Sequence, residues 1–167
     1  MNPTNDSDAS ATSPAIAKKT AKKYVPKPEG LNLEFHRACL ANGLLSVQRC
    51  SACGEHRHPP RWYCPSCHSG DYTFVPVSGR GEIYSMAINH FTVDPGWVED
   101  LPYVTAVVQL DEGPRVVGSL RGVPPGEVKL GQVVEVSIEA RGEDFAFLVV
   151  AVAGNGASAG SVTSHRG

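Results

Sequence analysis

Basic residues are scarce in most of this chain, and that scarcity excludes a first class of function. Only one of the six lysines, Lys129, follows residue 30. From Gly30 onward there are 10 basic against 14 acidic residues, and from Ser78 onward 6 against 11. A surface that tracks a phosphate backbone needs the opposite balance. Long hydrophobic runs are also missing. No segment approaches the ~18 apolar residues of a membrane-spanning helix, so no membrane contact is expected. Met1–Ala15 is polar and lacks the apolar stretch of a secretory signal, and the expectation is a cytoplasmic protein. There is no P-loop, no G-x-S-x-G elbow, no H-E-x-x-H and no G-x-G-x-x-G; Gly79-Arg-Gly81 lacks the third glycine and precedes a strand. His36, His90 and His165 are scattered without obvious carboxylate partners. The sequence offers no self-contained active site.

What remains is a chain of 167 residues, 41% hydrophobic and 19% charged, able to bury a core as one domain or two very small ones. Residues 1–29 are polar, with five lysines (Lys18, Lys19, Lys22, Lys23, Lys27) and four prolines, and read as a disordered, solubilising tail. Ala15–Tyr24 within it carries good helix formers. Leu31–Ala41 reads as a short helix with Leu31, Phe35 and Ala38 on one face and Asn42-Gly43 as its stop. Cys39 on this helix reads as core filler. From Ser78 the pattern alternates, giving strands at Gly81–Phe91, Tyr103–Leu110, Arg115–Arg121, Gln132–Glu139 and Phe145–Val152. Val134, Val136 and Ile138 point inward. Five strands with Gly/Pro turns predict a small barrel over 78–153, followed by a polar tail at 154–167. The fold class is mainly β, with a short N-terminal helix, a metal ribbon over 30–77 and then the barrel.

The chemistry lies in Cys50-Ser-Ala-Cys53 and Cys64-Pro-Ser-Cys67, two Cys-x-x-Cys knuckles ten residues apart. Two residues between cysteines let both sulfurs face one centre, with backbone N–H groups stabilising the thiolates. Two such knuckles make a closed tetrahedral four-sulfur site, which suits zinc; spacing alone leaves iron open. A closed site has no position for water, so its role is structural. A ribbon of this size buries too little apolar surface to fold unaided, and about 10–16 kcal/mol of metal binding supplies the deficit. His56, His58 and His68 lie nearby as alternative ligands, but four thiolates already complete the set.

The order of parts resembles a known family. A helix with Phe35, then Gln48-Arg-Cys-Ser-Ala-Cys-Gly54, Pro59-Pro-Arg61, Cys64-Pro-Ser-Cys67, Gly79-Arg-Gly-Glu-Ile-Tyr-Ser85, Leu101-Pro-Tyr103 and Leu110-Asp-Glu-Gly113 follow one another. This resembles the zinc-ribbon/OB-fold proteins that accompany thiolase-like enzymes and associate with acyl-CoA. The resemblance covers about residues 31–140. It implies a rubredoxin-like zinc ribbon, a five-stranded OB-fold barrel, and a small accessory subunit docked on a thiolase-like catalytic partner. That partner holds the catalytic residues, while the small chain completes the acyl-CoA tunnel. Arg49, Arg57 and Arg61 are the candidate contacts to coenzyme A phosphates, with ordinary surface arginine as the alternative. Trp62 and Tyr63 are expected to pack beneath the metal site, with stacking on a partner as the alternative. In the loop Phe91–Pro102, Trp97 is either an interface anchor or a cap on the barrel mouth.

Two other functions fit parts of this pattern. OB folds and zinc ribbons also bind single-stranded nucleic acid, but the acidic barrel half opposes it and no nucleic-acid partner is expected. Association with an acyl-CoA hydratase is the other alternative.

Overall fold

A computed structural model describes residues 21–154. Lys18, Lys19, His165 and most of both expected tails lie outside the described residues. The helix α1 spans Gly30–Asn42 and buries Phe35 and Cys39, one turn apart on its inner face. Gly43 ends it in the left-handed conformation, at φ 65°, with its N–H donating to the Leu40 carbonyl at 3.3 Å. A side chain there would be strained, which is why the Asn-Gly stop works. Cys39 is fully buried against the Ser46 backbone, and burial pushes its thiol up to about 11. It stays protonated and unactivated.

Three strands follow: β1 (Ser46–Cys50), β2 (His56–Arg57) and β3 (Tyr72–Pro76), in the order β2-β1-β3 and antiparallel throughout. Then comes the barrel, built from β4 (Arg80–Asn89), β5 (Tyr103–Leu110), β6 (Arg115–Arg121), β7 (Val133–Ala140) and β8 (Ala146–Val152). It closes in the order β4-β5-β6-β8-β7, with β7 pairing back to β4; β6 and β8 form its parallel pair. This is the five-stranded OB-fold sheet that the sequence predicts. β5 alternates strictly, with Val104, Ala106, Val108 and Leu110 buried. Val134 and Val136 of β7 are buried as expected, and Ile138 packs at the edge of the core. Gly118 lets β6 and β8 approach closely, since a Cβ there would sit 2.7 Å from Val150 Cγ2.

One continuous core runs from Phe35 and Cys39 through Leu45 and Val47 into the barrel valines. The helix therefore joins ribbon to barrel and fixes the metal-site candidate relative to the sheet. Within the segment expected as a disordered tail, Lys23 and Tyr24 bond to the loop before β5. Residues 21–24 are not helical either. No helix among the described residues is long and apolar enough to cross a membrane.

Candidate metal centre and its flank

The two knuckles are folded by the same backbone pattern. Cys50 N–H donates to the Glu55 carbonyl at 2.9 Å and Gly54 N–H to the Cys50 carbonyl at 3.0 Å. Fourteen residues on, Cys64 N–H donates to the Ser69 carbonyl at 2.9 Å and His68 N–H to the Cys64 carbonyl at 2.9 Å. The fifth position of each turn has positive φ: Gly54 at 80° and His68 at 61°. His68 is the one non-glycine residue with positive φ among the described residues. Its position in the turn, rather than any ligand role, explains where it lies.

These turns bring Cys50, Cys53, Cys64 and Cys67 together, with all four sulfurs within 4.8 Å of one another. Cys50 Sγ lies 3.6 Å from Cys67 Sγ, and Cys53 Sγ lies 3.5 Å from Cys64 Sγ. A tetrahedron with Zn–S bonds of 2.3 Å has edges of about 3.8 Å, so the set fits a tetrahedral zinc. Cys50 and Cys64 are buried, whereas Cys53 and Cys67 face outward. The Cys53 N–H, helped by that of Ala52, pulls the Cys50 thiol down to about 6 against the opposing effect of burial. The Cys67 and Ser66 N–H groups lower Cys64 in the same way. Cys53, although the Glu55 N–H pulls it down, is pushed up to about 12 by the three sulfurs around it. Four thiolates in so small a volume need a cation between them, and the donor set is all sulfur. None of His56, His58 or His68 belongs to the cluster.

The three candidate arginines separate. Arg57, expected at a coenzyme A phosphate, is turned inward and only 6% exposed. Its Nε donates to Gln48 Oε1 at 2.7 Å, and its guanidinium also reaches the Arg61 carbonyl at 3.4 Å. Gln48 Oε1 also accepts from Arg61 N–H at 2.8 Å, and Gln48 is itself fully buried. Arg57 is thus the clamp between the first knuckle and the following proline turn, not a surface cation. Sequence reasoning gave Gln48 no role; it lies in Ser46-Val-Gln-Arg-Cys50, a mixed polar and apolar run that does not mark it as buried. Arg49 and Arg61 stay exposed. Arg49 lies over Gly54, and Arg57 and Arg61 both line a groove of about 630 Å³ between the ribbon and the Glu112–Pro114 turn.

The aromatic residues also depart from expectation. Trp62 and Tyr63 do not pack under the cluster; they are 60% and 70% exposed beside the second knuckle. Trp97 takes the capping role. It is half-buried against the barrel end, 5.5 Å from Tyr103 and 5.7 Å from Phe147 by ring centroids. Lys23 Nζ lies 4.4 Å from its centroid and the Arg141 guanidinium 5.4 Å.

His58 sits at the helix–ribbon junction, 4.7 Å from the Phe35 ring. Burial, and secondarily the neighbouring His36, push it down to about 4. His36 is lowered too, chiefly by burial, and its Nδ1 accepts the Ala146 N–H at 3.3 Å. Both imidazoles are neutral packing groups. Among the described residues no histidine forms an ion pair with a carboxylate; the hydroxyls that meet carboxylates are exposed, Ser69 Oγ donating to Asp71 Oδ2 at 3.5 Å and Tyr72 Oη to Glu34 Oε2 at 3.0 Å.

Two family descriptions match consecutive parts of the chain: "ChsH2, rubredoxin-like zinc ribbon domain" over residues 40–73 and "ChsH2, C-terminal OB-fold domain" over residues 74–139. A "DUF35 domain-containing scaffold protein" of Methanothermobacter thermautotrophicus is 32% identical over 104 residues, 60% of this chain and 77% of the relative. A "Probable enoyl-CoA hydratase alpha subunit" of Thermomonospora curvata is 41% identical over 90 residues, 54% of this chain but only 28% of the relative. A "Benzoylsuccinyl-CoA thiolase subunit BbsA" of Thauera aromatica is 33% identical over 94 residues, covering 56% of this chain and 62% of the relative. Among solved structures, "Ltp2-ChsH2(DUF35) aldolase" superposes with a TM-score of 0.69 at 32% identity, covering 77% of this chain and 99% of that one.

Proposed function

The chain belongs to the DUF35 family, with a ChsH2-type zinc ribbon followed by an OB-fold domain, and from this premise we propose that it is a non-catalytic accessory subunit of a thiolase-like acyl-CoA complex. The observation that carries the reading is the match, at 32% identity, along 99% of a chain of the "Ltp2-ChsH2(DUF35) aldolase". The catalytic partner is a thiolase, acyltransferase or aldolase subunit, and the accessory chain supports assembly and completes the acyl-CoA tunnel.

In this reading Cys50, Cys53, Cys64 and Cys67 hold a structural zinc, whose chemistry is to tie the two knuckles into one folded ribbon. It works in the cytoplasm, where thiols stay reduced. Arg49 and Arg61 are the exposed arginines that would meet coenzyme A phosphates, with Arg57 lining the same groove as Arg61 from its buried side. Nucleic acid is not a ligand, since the barrel half is acidic. A second reading has one specific observation behind it: the 41% identity to a hydratase alpha subunit favours a hydratase catalytic subunit as partner.

Co-expression with a thiolase-like catalytic subunit, followed by size-exclusion chromatography and native mass spectrometry, tests the proposal. A stable hetero-oligomer is expected. Failure to associate with thiolase-like subunits, together with capture of a hydratase subunit, would overturn the first reading in favour of the second.

A further inference from the structure

The segment before α1 makes a set of contacts that the accessory reading leaves unused. Residues 22–25 cross the 3-10 turn Pro95–Asp100 in the loop between β4 and β5. Tyr24 N–H donates to Asp94 Oδ2 at 3.0 Å, while Asp94 Oδ1 accepts the Gly96 N–H at 2.9 Å. One carboxylate therefore caps the turn and holds the crossing segment. Lys23 Nζ pairs with Asp100 at 2.7 Å and lies over the Trp97 ring. Gly96 is buried beneath the crossing: a Cβ there would lie 2.6 Å from Lys23 Cα and 2.7 Å from Lys23 N. Backbone packs on backbone, which is closer than a tail lying loosely on a surface.

The same loop also carries exposed apolar side chains. Phe91 is 78% exposed, Val93 89% and Val98 47%. A loop that must carry three such groups to a partner loses affinity if it first has to be ordered, and fixing it beforehand removes that cost. The surrounding charge indicates what meets it. Asp94, Glu99 and Asp100 are the loop's charged groups; the strap engages Asp94 and Asp100, leaving Glu99 beside the apolar residues. Two copies joined through this loop would bring like charges together, and a phosphate backbone would be repelled. The complementary surface is an apolar recess with a basic rim on a different protein.

We infer that residues 22–25 are a built-in strap that holds the loop 91–102 in one conformation, and that the strapped loop docks the catalytic subunit. The docking half rests on the accessory reading above; the strap half does not. Gly96 has no need of positive φ, so Gly96→Ala meets only the strap. Lys23→Glu reverses the pairing with Asp100 and Trp97 without touching the loop's own sequence.

Hydrogen–deuterium exchange on the full-length, zinc-loaded chain tests the strap without any partner. Both variants should speed exchange of the 92–101 amides about tenfold or more, with β5 and β6 unchanged. Unchanged exchange in both would overturn the strap. Co-purification with the thiolase-like subunit then tests the docking. Both variants, and Phe91→Ser with Val93→Ser, should weaken the complex at least tenfold while the isolated chain stays folded. Faster exchange with undiminished complex formation would overturn the docking half alone. Self-association through the loop, lost in the Phe91→Ser, Val93→Ser variant, would replace the catalytic subunit by a second copy as the occupant. A wild-type chain with normal exchange protection and no partner at all would refute the accessory reading while leaving the strap standing.

Discussion

Replacing Gln48 with leucine removes the one acceptor that holds the ribbon's inner clamp. Gln48 Oε1 accepts from Arg57 Nε at 2.7 Å and from Arg61 N–H at 2.8 Å, and both Gln48 and Arg57 are buried. A hydrogen bond to a charged group is worth about 1.5–3 kcal/mol, and an orphaned buried N–H costs about 1–3 kcal/mol. Gln48 is neutral, so both costs are those of a lost acceptor at the buried guanidinium rather than of a broken ion pair. These overlap, because Arg57 retains the Arg61 carbonyl at 3.4 Å. Gln48 Nε2 already lacks a partner, so leucine also removes one existing penalty, worth about 1 kcal/mol. The expected net loss is about 3 kcal/mol. Urea unfolding of the zinc-saturated protein measures it, with release of zinc to a chromogenic chelator read in parallel. Gln48→Leu should unfold at lower urea and release zinc faster. Arg57→Met in the Gln48→Leu background should recover much of the loss, since the stranded charge is then gone, giving a coupling above about 1 kcal/mol in a double-mutant cycle. A Gln48→Leu protein within 1 kcal/mol of the parent, on the same order as a surface substitution, would refute the clamp and reopen Arg57 as a ligand-binding cation.

Other outcomes follow from individual groups. His58 has its folded value near 4, below the ordinary 6.5, so the stability of its neutral form is present above pH 6.5 and is lost as pH falls toward 4. The loss reaches about 3 kcal/mol by linkage, and His58→Phe should remove it from the pH–stability curve relative to the parent, whose zinc release it shares. His68→Gly relieves a left-handed side chain and should raise stability by up to about 1 kcal/mol at unchanged zinc content; loss of zinc would instead make His68 a ligand. Zinc removal by a chelator should broaden the amide signals of residues 46–76 in a heteronuclear NMR spectrum while those of β5 and β6 keep their dispersion.

The barrel was legible because its strands use a period-two code that needs no knowledge of neighbours: Val104, Ala106, Val108 and Leu110 announce their own inner face. The four-sulfur site was legible because Cys-x-x-Cys geometry is local. The burial of Arg57 was not legible because it depends on Gln48, nine residues away, turning inward with it; neither side chain signals that alone. Trp62 and Tyr63 read as packing groups by residue type, yet the second knuckle has no core beneath it to receive them. Trp97 lay between two roles until Lys23, Arg141 and Phe147 were seen around its ring, contacts spanning more than a hundred residues of chain. The strap was invisible for the same reason. Its lysines match a solvated tail, and only the buried face of Gly96 shows what they cover.

The central claim is that this chain carries no catalysis of its own and acts through a thiolase-like partner. The most direct measurement is turnover of an acyl-CoA thioester by three samples at equal concentration: the zinc-loaded chain, the catalytic subunit, and the reconstituted complex. The account predicts no turnover by the chain alone, little by the catalytic subunit alone, and carbon–carbon cleavage or acyl transfer by the complex. Enzyme-like turnover by the isolated chain, or full activity of the catalytic subunit without it, would contradict the account.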